Sequence, residues 1–195
     1  MKAILAAILL AASSAIAGTV GQPAPDFTLS DLSGKAVKLS DYRGSYVVLE
    51  WVNPECPYVE KHYGSRNMQG LQKDYTAQKV VWLTINSTRE GHSEYYPPQK
   101  MAGWLKQMNA APSATLLDPT GKVGRAYQAR TTPHMYIVDP KGQLVYAGGI
   151  DDKRSTSQSD VKTAKNFVRA AMGEALAGKS ISAASTSPYG CSIKY

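Results

Sequence analysis

Ser45-Tyr-Val-Val-Leu-Glu-Trp-Val-Asn-Pro-Glu-Cys-Pro-Tyr-Val-Glu-Lys-His-Tyr63 is the stretch on which the fold turns. Ser45 to Val52 is an almost continuous apolar run of strand length, the composition of a strand buried on both faces. Pro57 suits a first helical turn, where its missing N–H is no loss. A helical pattern then continues to about Gln78, with Val59, Tyr63, Leu71 and Tyr75 on the inner face and weak points at Gly64 and Gly70. A strand that runs into a helix start sets Cys56 beside unpaired backbone N–H groups and the positive end of the helix dipole, and both favour thiolate over thiol. Glu55 and Glu60 work against that effect, while Lys61 and His62 support it. Three residues on from Cys56 stands Val59, so there is no C-x-x-C. The only other cysteine is Cys191, near the end of the sequence.

Outward from this stretch, the pattern alternates. Asp26–Leu29 and Ala36–Leu39 flank the turn Asp31-Leu-Ser-Gly34 and predict a β-hairpin. Lys79–Ile85 is a second buried strand, Asn86–Pro98 a polar, tyrosine-rich loop, and Gln99–Asn109 an amphipathic helix. Ala114–Leu117 reads as a short strand and Lys122–Gln128 as a short helix. His134–Val138 and Gln143–Ala147 are strands joined by the tight turn Asp139-Pro-Lys-Gly142. Asp151–Arg154 reads as a solvated turn, and His62 as a residue on a solvated helix face. Asp160 is placed as the cap of a last helix, Val161–Leu176, and Gly178–Tyr195 is a polar tail without periodicity.

This order describes an α/β fold, a central mixed β-sheet flanked by helices with an N-terminal β-hairpin. Residues 18–177 resemble a thioredoxin-fold redoxin of the AhpC/TSA, peroxiredoxin-like, type. The resemblance is carried by Gly21-Gln-Pro-Ala-Pro-Asp-Phe-Thr-Leu29, by Leu39-Ser-Asp-Tyr-Arg-Gly44 ahead of a Val-Val-Leu strand, and by Thr132-Pro133 ahead of a strand ending Ile137-Val138-Asp139. It implies that Cys56 stands at the nucleophilic cysteine and Val59 at the second cysteine of the thioredoxin motif. It also implies that Thr132 and Pro133 form the cis-proline pair beside the thiol and position the substrate. The implied chemistry is thiol–disulfide exchange or antioxidant activity, without organic cofactor or metal. Its substrate would be a disulfide protein or a small-molecule oxidant, and a thiol reductant would be the partner.

The peroxiredoxin pattern P-x-x-x-T/S-x-x-C is not met, because Leu49 and Asn53 occupy the proline and hydroxyl positions. That family's peroxidatic cysteine also falls at Val59, and no motif fixes Arg125 or Arg130 as a peroxide-polarising arginine. An expectation of efficient peroxide reduction therefore does not follow. His134, next to Pro133, is expected near Cys56, where it could tune the thiol.

Cys191 leaves two readings open. Fully extended from Gly178, the tail spans about 43 Å, enough to reach Cys56 on a domain of this size. Cys191 is then either the resolving thiol for a mixed disulfide or sulfenic acid, or half of a permanent clamp. The clamp belongs to a rival function, a non-enzymatic redoxin-fold binding protein or copper chaperone with a structural Cys56–Cys191 disulfide.

Residues 1–17 have a basic start, an apolar Ala3–Leu10 stretch and Ala15-Ile-Ala17, the pattern of a cleavable signal peptide and hence of a periplasmic or secreted protein. The remainder divides into a redoxin domain, 18–177, and a tail, 178–195. No later segment is apolar enough to span a membrane. The formal charge of +7 is spread among acidic residues without a Lys/Arg block, which disfavours nucleic-acid binding.

Overall fold

The structure is a computed structural model that describes residues 18–195. The signal peptide assigned to residues 1–17 lies outside the described residues. Strands β1 (Thr28–Asp31) and β2 (Ala36–Lys38) form the expected hairpin, with Thr28 opposite Lys38. There follow β3 (Val47–Trp51), α1 (Pro57–Gly64), α2 (Asn67–Thr76), β4 (Val81–Asn86), α3 (Pro98–Met108), β5 (Ala114–Leu117) and α4 (Lys122–Ala126). The chain continues through β6 (Thr131–Thr132), β7 (His134–Val138), β8 (Leu144–Gly148), α5 (Phe167–Leu176) and β9 (Cys191–Ser192).

Seven strands make one mixed sheet in the order β2-β1-β5-β4-β3-β7-β8. β3 is an interior strand buried along its whole length, parallel to β4 and antiparallel to β7. This is why its sequence reads as an unbroken apolar run rather than an alternating one. Successive side chains still point to opposite faces. Val48 joins the core beneath α1, α2, α3 and α5, with Tyr63, Met68, Leu71, Trp104 and Met172. Val47, Leu49 and Trp51 join the other core, with Phe27, Val123 and Tyr127. The expected thioredoxin-type α/β architecture is thus present.

Two boundaries differ from the sequence expectation. The helical stretch after Cys56 is split, because Arg66 takes a left-handed conformation (φ 61°) between α1 and α2. The last helix begins at Phe167, not Val161. Its N-cap is Asn166, whose side chain accepts from the Arg169 N–H at 2.9 Å, while Gln158–Lys162 forms a separate 3-10 turn. Both Asp160 and Asn166 are good capping types, and the one followed by the apolar face of Val168, Ala171 and Met172 prevails. The tail, which shows no periodicity, returns to the domain and adds β9 antiparallel to β6.

Candidate active site

The turn from β3 into α1 is built by Asn53. Its carbonyl accepts from the Cys56 N–H at 3.1 Å and its Oδ1 from the Glu55 N–H at 3.0 Å. Its amide donates to Glu94 at 2.6 Å. Asn53, at the position of the peroxiredoxin hydroxyl, therefore shapes the backbone ahead of the cysteine. Cys56 is the N-cap of α1, with extended backbone (φ −85°, ψ 121°), and Pro57 opens the helix. The cysteine side chain does not cap that helix. Its Sγ donates instead to the Thr132 carbonyl at 3.0 Å, and Cys56 is buried.

The Thr132–Pro133 peptide bond is cis. Thr132 also pairs in register with Cys191 across β6 and β9, and Thr131 pairs with Ser192. One residue, Thr132, thus stands between the two cysteines. Cys56, Cys191, Thr132 and Pro133 are brought together from segments far apart in the sequence. The sulfurs are not bonded to one another, yet Cys191 is within hydrogen-bond reach of Cys56. Its thiol pKa is pushed up to about 12, first by burial and then by the hydrogen bond to Cys56 and the charge of that sulfur. Cys191 is only half buried and packs on the cluster that contains Cys56 and Val59.

The close approach of the tail depends on Gly190. Its φ is +143°, and a Cβ there would lie 2.0 Å from the Thr132 carbonyl oxygen. On the other side of this glycine, Tyr189 enters a buried charged socket on α1. Its hydroxyl donates to Asp151, lies 3.1 Å from His62 Nε2 and accepts from Lys61 Nζ at 3.2 Å. Lys61 Nζ sits 3.5 Å from Asp151 Oδ2 and donates to the Lys153 carbonyl at 2.5 Å. Tyr58 packs edge-on against the Tyr189 ring, with centroids 5.7 Å apart.

This corrects two sequence expectations: neither His62 nor Asp151 is solvated. Tyr189 of the tail covers the side of α1 that carries Lys61 and His62, while Pro57, Glu60 and Gly64 stay exposed. His62 is held neutral as a result. Burial, and then the Lys61 charge, lower its pKa to about 3. Its Nδ1 lies 3.0 Å from the Asn67 amide.

Other expectations resolve as follows. His134 is buried, but its Nδ1 faces the Tyr136 hydroxyl at 3.2 Å and accepts from the Arg130 N–H at 3.3 Å. Among the described residues no hydrogen bond links it to either sulfur. Arg130 offers its carbonyl to the Ile193 N–H at 3.1 Å, and the Arg125 guanidinium stacks 4.4 Å from the Tyr195 ring. Both arginines therefore serve the docked tail. The tyrosine-rich loop, which the sequence left without a place, borders the site. Tyr96 donates to Glu55 at 2.7 Å, and Glu94 reaches from Asn53 to Lys194 in the tail, 4.0 Å away.

Sequence reasoning also passed over Glu50. It is fully buried and accepts from Trp82 and Tyr63, each at 2.8 Å, and from Gln72 at 3.3 Å. Burial outweighs these donors and raises its pKa to about 7. An acidic residue inside an apolar strand was the available signal. Among the described residues, no three His, Cys, Asp or Glu side chains gather as a metal ion would require.

A thiol at a helix start, faced by a cis-proline strand, is the arrangement against which known proteins can be compared. The AhpC/TSA family model matches residues 20–147. The chain belongs to the AhpC/TSA family. It is 36% identical to the thiol-disulfide oxidoreductase ResA of Geobacillus thermodenitrificans, an alignment covering 74% of this chain and 83% of that one. It is 31% identical to the thioredoxin-like protein YneN of Bacillus subtilis, over 72% and 79% of the two chains. Among solved structures, an uncharacterized conserved protein from Geobacillus kaustophilus superposes with a TM-score of 0.78 at 28% identity, covering 91% of this chain and 93% of that one. A putative thiol:disulfide interchange protein DsbE from Chlorobium tepidum gives 0.54 at 26% identity, covering 66% and 84%. These likenesses establish the thioredoxin fold of this AhpC/TSA protein.

Proposed function

We propose that this AhpC/TSA protein is an exported thiol oxidoreductase in which Cys56 is the nucleophile and Cys191 the resolving thiol. The observation that carries the reading is the shared contact at Thr132. Its carbonyl holds Cys56 and its backbone is in register with Cys191. The relatives named as thiol-disulfide oxidoreductases support the reaction class. Export rests on the signal-peptide pattern of residues 1–17. Among the described residues no helix is long and apolar enough to cross a membrane.

The Cys56 thiolate attacks one sulfur of a partner's disulfide. A mixed disulfide forms, and the partner's other sulfur leaves as a thiolate that takes up a proton. Cys191 then gives up its proton and attacks Cys56 Sγ. This forms the Cys56–Cys191 bond and releases the partner as a dithiol. The partner is reduced by two electrons, the chain is oxidised by two, and a separate thiol reductant restores it. With a hydroperoxide, the Cys56 thiolate would attack the terminal oxygen, break the O–O bond and become a sulfenic acid as the alcohol leaves, and Cys191 would then condense with it, releasing water. The absence of a hydroxyl at Asn53 makes disulfide exchange the better-supported route.

Mass spectrometry after exposure to oxidised glutathione and alkylation tests this. The wild-type chain is expected to form the internal disulfide, Cys191→Ser to retain glutathione on Cys56, and Cys56→Ser to do neither. A Cys56–Cys191 bridge that survives mild reductant, or sulfurs that never respond, would sink the reading. Stoichiometric copper lost on Cys56→Ser would establish the chaperone in its place.

A further inference from the structure

In the resting fold the sulfur proposed to react first has no access to a partner. Cys56 is 1% exposed, and the edge of β6, beside which it lies, is occupied by β9. The strand is held at several points along its length. Ile193 bonds to Arg130, Lys194 accepts from the Arg89 N–H at 2.8 Å, and Tyr189 is seated among Lys61, His62 and Asp151. The Tyr189 ring also packs on Tyr58, two residues after Cys56. The segment is thus an extended, cysteine-bearing peptide, paired antiparallel to Thr132 with its sulfur beside Cys56. This is the pose in which a disulfide-bearing protein would have to present its own cysteine, because adding a strand to a free sheet edge is how extended peptides are held.

We propose that residues 187–195 are a built-in stand-in for the client. They hold the β6 edge until an extended, disulfide-bearing segment of a partner protein displaces them. One feature of the fit favours displacement. The Thr132 hydroxyl is buried without a hydrogen-bond partner among the described residues, so the docked state carries an unmet polar group and is held less tightly than a fully paired one. Tyr189 is the key of the closed state and Gly190 its clearance. The socket residues are on α1 and on the segment after β8, outside the β6 edge itself. β6 and β9 pair apart from the seven-stranded sheet, so the tail can leave the edge without disturbing that sheet. Once a client is joined to Cys56, the returning tail brings Cys191 back to the mixed disulfide.

The proposal rests on Cys56 as the reacting sulfur, but its test reads access rather than turnover, so the two can fail separately. In full-length Cys191→Ser, Cys56 is the sole thiol, and its alkylation in the folded protein is followed by mass spectrometry. Adding Gly190→Val, which places side-chain atoms against the Thr132 carbonyl, is expected to speed alkylation by about tenfold or more, as release of a docked segment does. The gain is expected to be larger for a bulky maleimide than for iodoacetamide, since a change in thiol ionisation would speed both alike. Equal rates with and without Gly190→Val, or a gain identical for the two reagents, would overturn the proposal. Should Gly190→Val fail to fold, Tyr189→Phe in the same background removes only the socket contacts. It is expected to give a smaller gain with the same size dependence, and no gain would likewise overturn the proposal.

Discussion

The Lys61 ammonium lies 3.5 Å from the Asp151 carboxylate, and neither side chain is exposed to solvent. A buried pair of this kind is a poor source of net stability but costly to break, because the survivor is left charged and unpaired. Asp151→Ala would leave the buried ammonium without its counter-charge and take from the Tyr189 hydroxyl the acceptor to which it donates. Urea unfolding is expected to show a loss of about 3–5 kcal/mol. The exposed neighbour Lys153→Ala, which contributes only its backbone N–H and carbonyl to this cluster, should stay within about 0.5 kcal/mol of wild type. A loss under about 1 kcal/mol for Asp151→Ala would contradict the pairing.

Glu50 gives the fold a pH dependence of unusual sign. Its carboxyl is raised from an ordinary 4.5 to about 7, chiefly by burial, so the folded chain holds this proton more tightly than the unfolded one. The associated stability is fully present below about pH 4.5 and is lost as pH rises through about 7, by roughly 3 kcal/mol in all. Glu50→Gln can still accept from Trp82 and Gln72 through its carbonyl oxygen while its amide faces the Tyr63 hydroxyl. Denaturant titrations at a series of pH values should therefore find this variant more stable than wild type above pH 7. A variant less stable at every pH would show that the charge is not what burial penalises.

The two buried imidazoles act in the opposite direction. His62 and His134 are both lowered to about 3 by burial, with smaller contributions from Lys61 and Arg130 respectively. Between about pH 3 and 6.5 the unfolded chain binds protons that the folded chain refuses. Stability is then expected to fall as pH drops below 6.5, by up to about 1.4 kcal/mol per pH unit for each imidazole. Two histidines outweigh one glutamate between pH 5 and 6, so the wild-type chain should weaken there on acidification. His62→Gln should flatten that slope by about one proton's worth, and an unchanged slope would mean that His62 is not held neutral.

Cys191 should behave as two different thiols depending on Cys56. Burial keeps it protonated in any case, but the hydrogen bond and charge of Cys56 add to its pKa of about 12. Cys56→Ser removes the sulfur charge, so the inflection in the pH profile of Cys191 alkylation should move down. The same relief would follow the reaction of Cys56 with a partner, which would activate Cys191 only when its attack is needed. An inflection that stays in place would leave burial as the sole cause.

The fold was legible because its sheet is built on local signals. Val47–Trp51 and Val81–Asn86 are buried over nearly their whole length and read as apolar runs, and the hairpin and the turn at Pro140 follow from turn chemistry. The pairing of Cys56 with Thr132-Pro133 came from the family resemblance. What escaped was everything the tail imposes. Lys61, His62 and Asp151 carry polar side chains on what is locally an outer surface, and no periodicity reports that Tyr189, more than a hundred residues beyond Lys61 and His62, will cover them. The reach of the tail permitted Cys191 to find Cys56 without specifying it. Tyr189-Gly190-Cys191 was the available clue, an aromatic and a glycine directly before the cysteine in an otherwise plain segment.

The β6–β9 pairing has a consequence for the energetics of the whole chain. A bond between Cys56 and Cys191 would close a loop of about 135 residues, and in the chain-entropy account such a closure removes about 5 kcal/mol of freedom from the unfolded ensemble. Reduction would give that freedom back. The melting temperature of this protein would then rise and fall with the redox poise of its surroundings, making the thermal unfolding curve a gauge of its oxidation state.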